Sequence, residues 1–165
     1  MANIQADPSF NKQQIEDMKE AIVEEIQSMV NLSTAGAHAA IAATAVQAVF
    51  VAPRKCTITS MKMGVTTSVS AHADNHWTIQ VVNQTGDLDL LSSAFSTDSD
   101  VATTSNGSRA FTADTMLSIH NNGTNEFLQN NNLAEGDILI LTATKAASAA
   151  NLTYPVMTIR YKVTD

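Results

Sequence analysis

Leu133-Ala-Glu-Gly-Asp, then Ile138-Leu-Ile-Leu-Thr-Ala-Thr, and finally Val156-Met-Thr-Ile-Arg-Tyr-Lys-Val decide the fold of this chain, across residues 133–163. Glu135-Gly136-Asp137 reads as a turn, with a conformationally permissive glycine beside a short polar side chain that can bond its own backbone. The run that follows is too short and too β-branched for a helix. Lys145-Ala-Ala-Ser-Ala-Ala-Asn is a linker of small residues. In the last segment Val156, Thr158, Arg160 and Lys162 alternate with Met157, Ile159, Tyr161 and Val163, the period of a half-buried strand with one wet face. One fully apolar strand and one alternating strand, joined by a moderate loop, suggest the closing pair of a β-sandwich.

Upstream, the same signals recur. The stretch 37–51 reads as an extended segment that becomes a first strand at Val46, Val49, Phe50 and Val51 and ends before Pro53. Cys56-Thr-Ile-Thr-Ser-Met-Lys-Met-Gly-Val alternates, and Trp77-Thr-Ile-Gln-Val-Val places Trp77, Ile79 and Val81 on one face. Asp87-Leu-Asp-Leu-Leu and Met116-Leu-Ser-Ile-His are shorter pieces, and Glu126-Phe-Leu-Gln is a brief one. Asn106-Gly107 and Asn121-Asn-Gly are tight-turn signals. Short strands punctuated by turns, without βαβ alternation, predict an antiparallel sandwich.

The N-terminal part follows a different period. Ile15, Met18, Ile22, Ile26 and Met29 recur at spacings of three and four, with acidic residues on the other faces. This predicts an amphipathic helix over residues 11–30, with Asn11 as N-cap and Gln14 three residues on. Such a stripe must be buried: on the β-domain, against identical helices, or on a partner. Its narrowness and the alanine-rich linker after it favour self-association or partner docking. The expected division is therefore an arm and helix over residues 1–36 and a β-domain over 37–165.

Composition narrows the function. Hydrophobic residues make up 44%, ordinary for a folded domain, while charged residues are only 15%, with Ser, Thr, Asn and Ala in their place. A net charge of -7 argues against sequence-independent nucleic-acid binding, which needs clustered Lys and Arg. Cys56 stands alone, so no intrachain disulfide is expected. The first residues lack a signal-peptide pattern, and no stretch approaches a membrane span of about 20 apolar residues.

His72-Ala-Asp-Asn-His is the densest set of potential metal ligands, but no second carboxylate or cysteine cluster accompanies it, so a solvated loop is expected. Asp87, Asp89, Asp98 and Asp100 fit no EF-hand spacing. Arg54-Lys55 reads as a strand-edge charge pair. No nucleophile elbow or phosphate loop is present, so neither an enzyme nor a cofactor is expected.

Val49-Phe-Val-Ala-Pro, Cys56-Thr-Ile-Thr, Asn75-His-Trp-Thr-Ile-Gln-Val, Leu133-Ala-Glu-Gly-Asp and Thr158-Ile-Arg-Tyr, taken together, resemble the jelly-roll domains of phage virion proteins, above all the capsid decoration (cement) proteins of tailed bacteriophages. The resemblance covers residues 46–163. It implies an antiparallel jelly-roll β-sandwich with an N-terminal helix or arm, a homotrimer on the capsid surface of the virion, and the major capsid protein as partner, with no nucleic acid or membrane involved. Ile15, Met18, Ile22, Ile26 and Met29 are the expected capsid-binding residues. The rival is a head-fibre or receptor- or glycan-binding module using residues 92–109, where Phe95, with Phe111 just beyond, supplies the aromatic surface. A hydrolase or lyase on the same scaffold would have only His72, Asp74 and His76 to work with.

Overall fold

A computed structural model of the chain describes residues 25–31, 40–100, 109–120 and 128–164, the first of these segments through its backbone. The described residues form ten β-strands in two antiparallel sheets, and no helix occurs among them. The first sheet contains β1 (Glu25–Asn31), β10 (Val156–Val163) and β3 (Cys56–Gly64) in that order. On the far edge of β3 lie two short strands, β7 (Leu117–Ser118) against Lys62 and Met63, and β8 (Asn132–Leu133) against Cys56 and Thr57.

The second sheet repeats the plan. Its order is β2 (Ala45–Val51), β9 (Ile138–Lys145) and β4 (Trp77–Asn83). β5 (Leu88–Asp89) and β6 (Phe95–Ser96) share the far edge of β4.

Alternation fixes what each sheet buries. Trp77, Ile79 and Val81 of β4 point inward, as their spacing predicts, beside Leu139, Leu141 and Ala143 of β9. From the other sheet come Ile58, Met61 and Met63 of β3 and Met157, Ile159 and Tyr161 of β10, all in one continuous core. Each fully buried aliphatic or aromatic side chain contributes about 1.5–3 kcal/mol, so this core is the main source of stability. Gly136, at φ +86, turns the chain between β8 and β9 in the left-handed region that glycine enters without penalty.

Two bulges adjust the alternation. In β2, Ala48 pairs with Ile140 and Phe50 with Leu139, so Val49 is the extra residue and both Val49 and Phe50 face the core. In the first sheet, Arg160 pairs with Ser60 but Tyr161 with Ile58, leaving Thr59 as the extra residue of β3.

Three expectations change. Residues 25–31 are a strand, not the end of a helix: β1 pairs with β10 through seven consecutive residues, from Glu25 opposite Lys162 to Asn31 opposite Val156. A sheet edge supplies hydrogen-bond partners that outweigh a local helical pattern. The remainder of the expected helix, with Asn11 and Gln14, lies outside the described residues. Secondly, β9 and β10 do not pair with each other but sit at the centres of different sheets. Thirdly, β9 is apolar in sequence yet buries one face only; Ile138, Ile140 and Thr142 are half-buried on the other.

Candidate functional site

The loop carrying His72, Asp74 and His76 leads into β4. The Nδ1 atom of His72 accepts hydrogen bonds from the backbone N–H groups of Asp74 and Asn75, each at 3.1 Å. An imidazole that accepts at Nδ1 carries its proton on Nε2, so His72 has no second lone pair to offer. His76 does the opposite: its Nδ1 lies 2.8 Å from the Ala73 carbonyl, to which it must donate, and 3.7 Å from Asp98 Oδ2. The two rings therefore brace their own loop rather than converge on a common ion. Among the described residues no group of three His, Cys, Asp or Glu side chains is placed to hold a metal.

The stretch 92–109 is described except for residues 101–108. Phe95 is buried, with its ring centroid 5.1 Å from that of Phe111, which is buried too. The Arg109 guanidinium covers the Phe95 ring at 5.3 Å and donates from Nη2 to the Ser118 carbonyl at 2.6 Å; burial lowers its pKa. These rings belong to the core and not to a binding loop. Tyr154, 44% exposed, is the one exposed aromatic side chain among the described residues. It borders a notch of about 230 Å³ with Gly64, Thr66, Asp114 and Met116. Gly64 is required there, because a Cβ would stand 2.7 Å from the Met116 sulfur.

Buried polar groups missed by sequence reasoning lie inside the fold. Asp137 Oδ2 accepts from Asn83 Nδ2 at 2.9 Å and from the Ala134 N–H at 3.0 Å, tying the turn before β9 to the end of β4. Burial, with the Asp137 charge adding to it, pushes the Cys56 thiol up. His120 is buried with Nδ1 at 3.0 Å from the Met61 nitrogen and 2.9 Å from its carbonyl oxygen, at the end of the β3–β7 pairing. Each of these groups serves the scaffold.

The outer faces of the two sheets differ more sharply than any loop. On the first sheet, the outward rows pair Lys62 with Thr158, Ser60 with Arg160 and Thr57 with Lys162, giving three cations on an acidic chain. On the second, the rows are Val46–Thr142–Gln80, Ala48–Ile140–Val82 and Val51–Ile138. These outward positions on β2, β9 and β4 carry no charge, and the first charged group on that face is Asp89, opposite Val82 on β5. Val46 is 63% exposed and Val51 57%.

Of the expected capsid-binding residues, Ile15, Met18 and Ile22 lie outside the described residues. Ile26 and Met29 fall in β1, opposite Tyr161 and Thr158. A spacing of three that marks one face of a helix alternates between faces in a strand. No helix of the described residues is long and apolar enough to cross a membrane. Compared with protein-family models, with characterised proteins and with solved structures, the chain matches none.

Proposed function

We propose that the chain is a structural virion protein that binds the outside of a phage capsid as a homotrimer and stabilises the shell by bridging major capsid subunits. The observation that carries this reading is the strand order. β1, β10, β3 and the β7/β8 pair face β2, β9, β4 and the β5/β6 pair, so the outer half of the chain, β1–β2 with β9–β10, wraps the inner half. That is the order of a jelly roll, the fold implied by the resemblance to capsid decoration proteins.

The role is one of binding and not of catalysis. The buried polar groups brace turns and strand ends, and a body that spans several capsid subunits stabilises their assembly by mass action alone. With Ile26 and Met29 committed to β1, the anchor we propose is the segment before it, through Ile15, Met18 and Ile22. Fibre-head or glycan recognition loses its aromatic residues, since Phe95 and Phe111 are buried.

Mixing the purified protein with emptied capsids and sedimenting the mixture tests the reading. Co-sedimentation at a fixed ratio to major capsid protein, with a raised capsid melting temperature, is expected. Protein that stays in the supernatant at all ratios would sink it.

A further inference from the structure

We propose that the charge-free outer face of the β2–β9–β4 sheet is where copies of this chain pack against one another. This goes beyond capsid binding and does not rest on it. An antiparallel sheet with one face in the core ordinarily presents a polar, solvated opposite face. Here that face is built from Val46, Ala48, Ile140 and Val82, with Thr142 and Gln80 as uncharged polar neighbours. Large exposed apolar groups gathered on one surface mark an interaction site, and depletion of charge is the compositional signature of an interface core.

Charge selects the occupant. The chain carries a net charge of -7, so two copies repel over most of their surfaces. The three outward rows of this sheet are where identical acidic bodies can meet without burying like charges. The opposite sheet, with Lys62, Arg160 and Lys162 on its outer rows, is ill suited to meet itself, since those cations would be desolvated against one another. A partner selected by charge would dock there instead. An occupant for the neutral face must itself be neutral and apolar where it touches, and a second copy of the face supplies that.

Size sets the strength. Three strands about 4.8 Å apart and about seven residues long at about 3.3 Å each give a flat footprint of roughly 14 by 23 Å. Even allowing for side-chain relief, this falls below the roughly 800 Å² per partner of a standard interface. Association through the face is therefore reversible and concentration-dependent.

Sedimentation velocity of the full chain, without capsids, tests this across a wide range of concentration. The expected result is a shift from the 17.6 kDa monomer to a multiple of it as concentration rises. Ile140→Lys, at the centre of the face, should weaken association by at least about tenfold. Val46→Glu changes a residue already 63% exposed, so it keeps the test valid should Ile140→Lys fail to fold. Lys62→Glu, on the other sheet, should leave association unchanged.

A wild-type chain that remains monomeric at every concentration overturns the proposal. So does association that survives Val46→Glu and Ile140→Lys or is lost on Lys62→Glu. A monomer whose co-sedimentation with capsids is abolished by Val46→Glu would assign the face to the shell and overturn self-packing, while leaving the capsid reading intact.

Discussion

The ring of Phe50 meets that of Tyr161 edge-on, with centroids 5.0 Å apart and planes inclined at 60°. Phe50 belongs to β2 and Tyr161 to β10, so this contact joins the two sheets. It also stands at both bulges, since Val49 is the extra residue beside Phe50 and Thr59 the extra residue opposite Tyr161. Phe50→Ala and Tyr161→Ala should each cost about 3–5 kcal/mol. In a double-mutant cycle followed by urea unfolding, their coupling should be about 0.5–1.5 kcal/mol. Strict additivity would mean that the rings act only through the area they bury.

Removing residues 1–24 and removing residues 1–31 should give different proteins. The shorter deletion leaves β1 in place and should keep the melting temperature near that of the full chain. The longer one strips seven cross-strand pairs from β10. At about 0.2–1 kcal/mol per pair, that loss amounts to a few kcal/mol. Equal melting temperatures for the two truncations would show that β1 contributes nothing to the sheet.

Asp137→Ala should destabilise the fold by about 1–3 kcal/mol, because Asn83 Nδ2 and the Ala134 N–H lose their common acceptor inside the protein. Asp137→Asn keeps an acceptor oxygen and should cost less. Urea titrations of the two variants check the order.

Cys56 should react with iodoacetamide slower than a free thiol by on the order of a thousandfold or more, because it is fully buried and reacts only after opening. Its folded pKa lies above the ordinary 9.0, raised first by burial and then by Asp137. The thiol form is therefore favoured in the folded state, and its contribution to stability is fully present below the unfolded value. That contribution is lost as pH rises through the folded value. Unfolding free energy should fall above pH 9 in the wild type and less steeply in Cys56→Ala, measured by urea melts. Asp137→Asn should bring the thiol pKa down.

The double variant His72→Ala with His76→Ala should lower the melting temperature by only a few degrees. The lost bonds are worth about 1 kcal/mol each, and a chain of this size shifts by about 2–4 °C per kcal/mol. Chelator should leave the melting temperature where it is. A fall of tens of degrees on chelation or in the double variant would restore the metal reading of this loop.

Where period two is sustained, sequence and structure agree: Trp77, Ile79 and Val81 of β4 and Met157, Ile159 and Tyr161 of β10 are buried as their spacing predicts. Residues 25–31 were ambiguous in themselves. Ile26 and Met29 continue a spacing of three and four, while Ile26, Ser28 and Val30 also alternate, opposite Tyr161, Ile159 and Met157. The deciding partner, β10, comes from the far end of the chain, where no local window reaches it. β6 and β8, at two residues each, are too short to carry a period. The apolar run of β9 was legible as a strand. That half of it lies on an outer face follows only from its neighbours β2 and β4. The histidine loop was legible as solvated, but the opposite tautomers of its two rings follow from backbone positions that sequence does not encode locally.

The last strands made occupy the middle of the structure. β10 lies between β1 and β3, and β9 between β2 and β4. While the chain is being synthesised, each sheet lacks its central strand, so β1, β2, β3 and β4 wait with unpaired edges until residues 138–163 have left the ribosome. Domains fold as units during synthesis at about 5–20 residues per second, and pairings between distant segments are slow to form. This chain folds all at once after release, and a ribosome stalled before β9 holds a nascent chain with two open sheets, prone to pair with its neighbours on the same message.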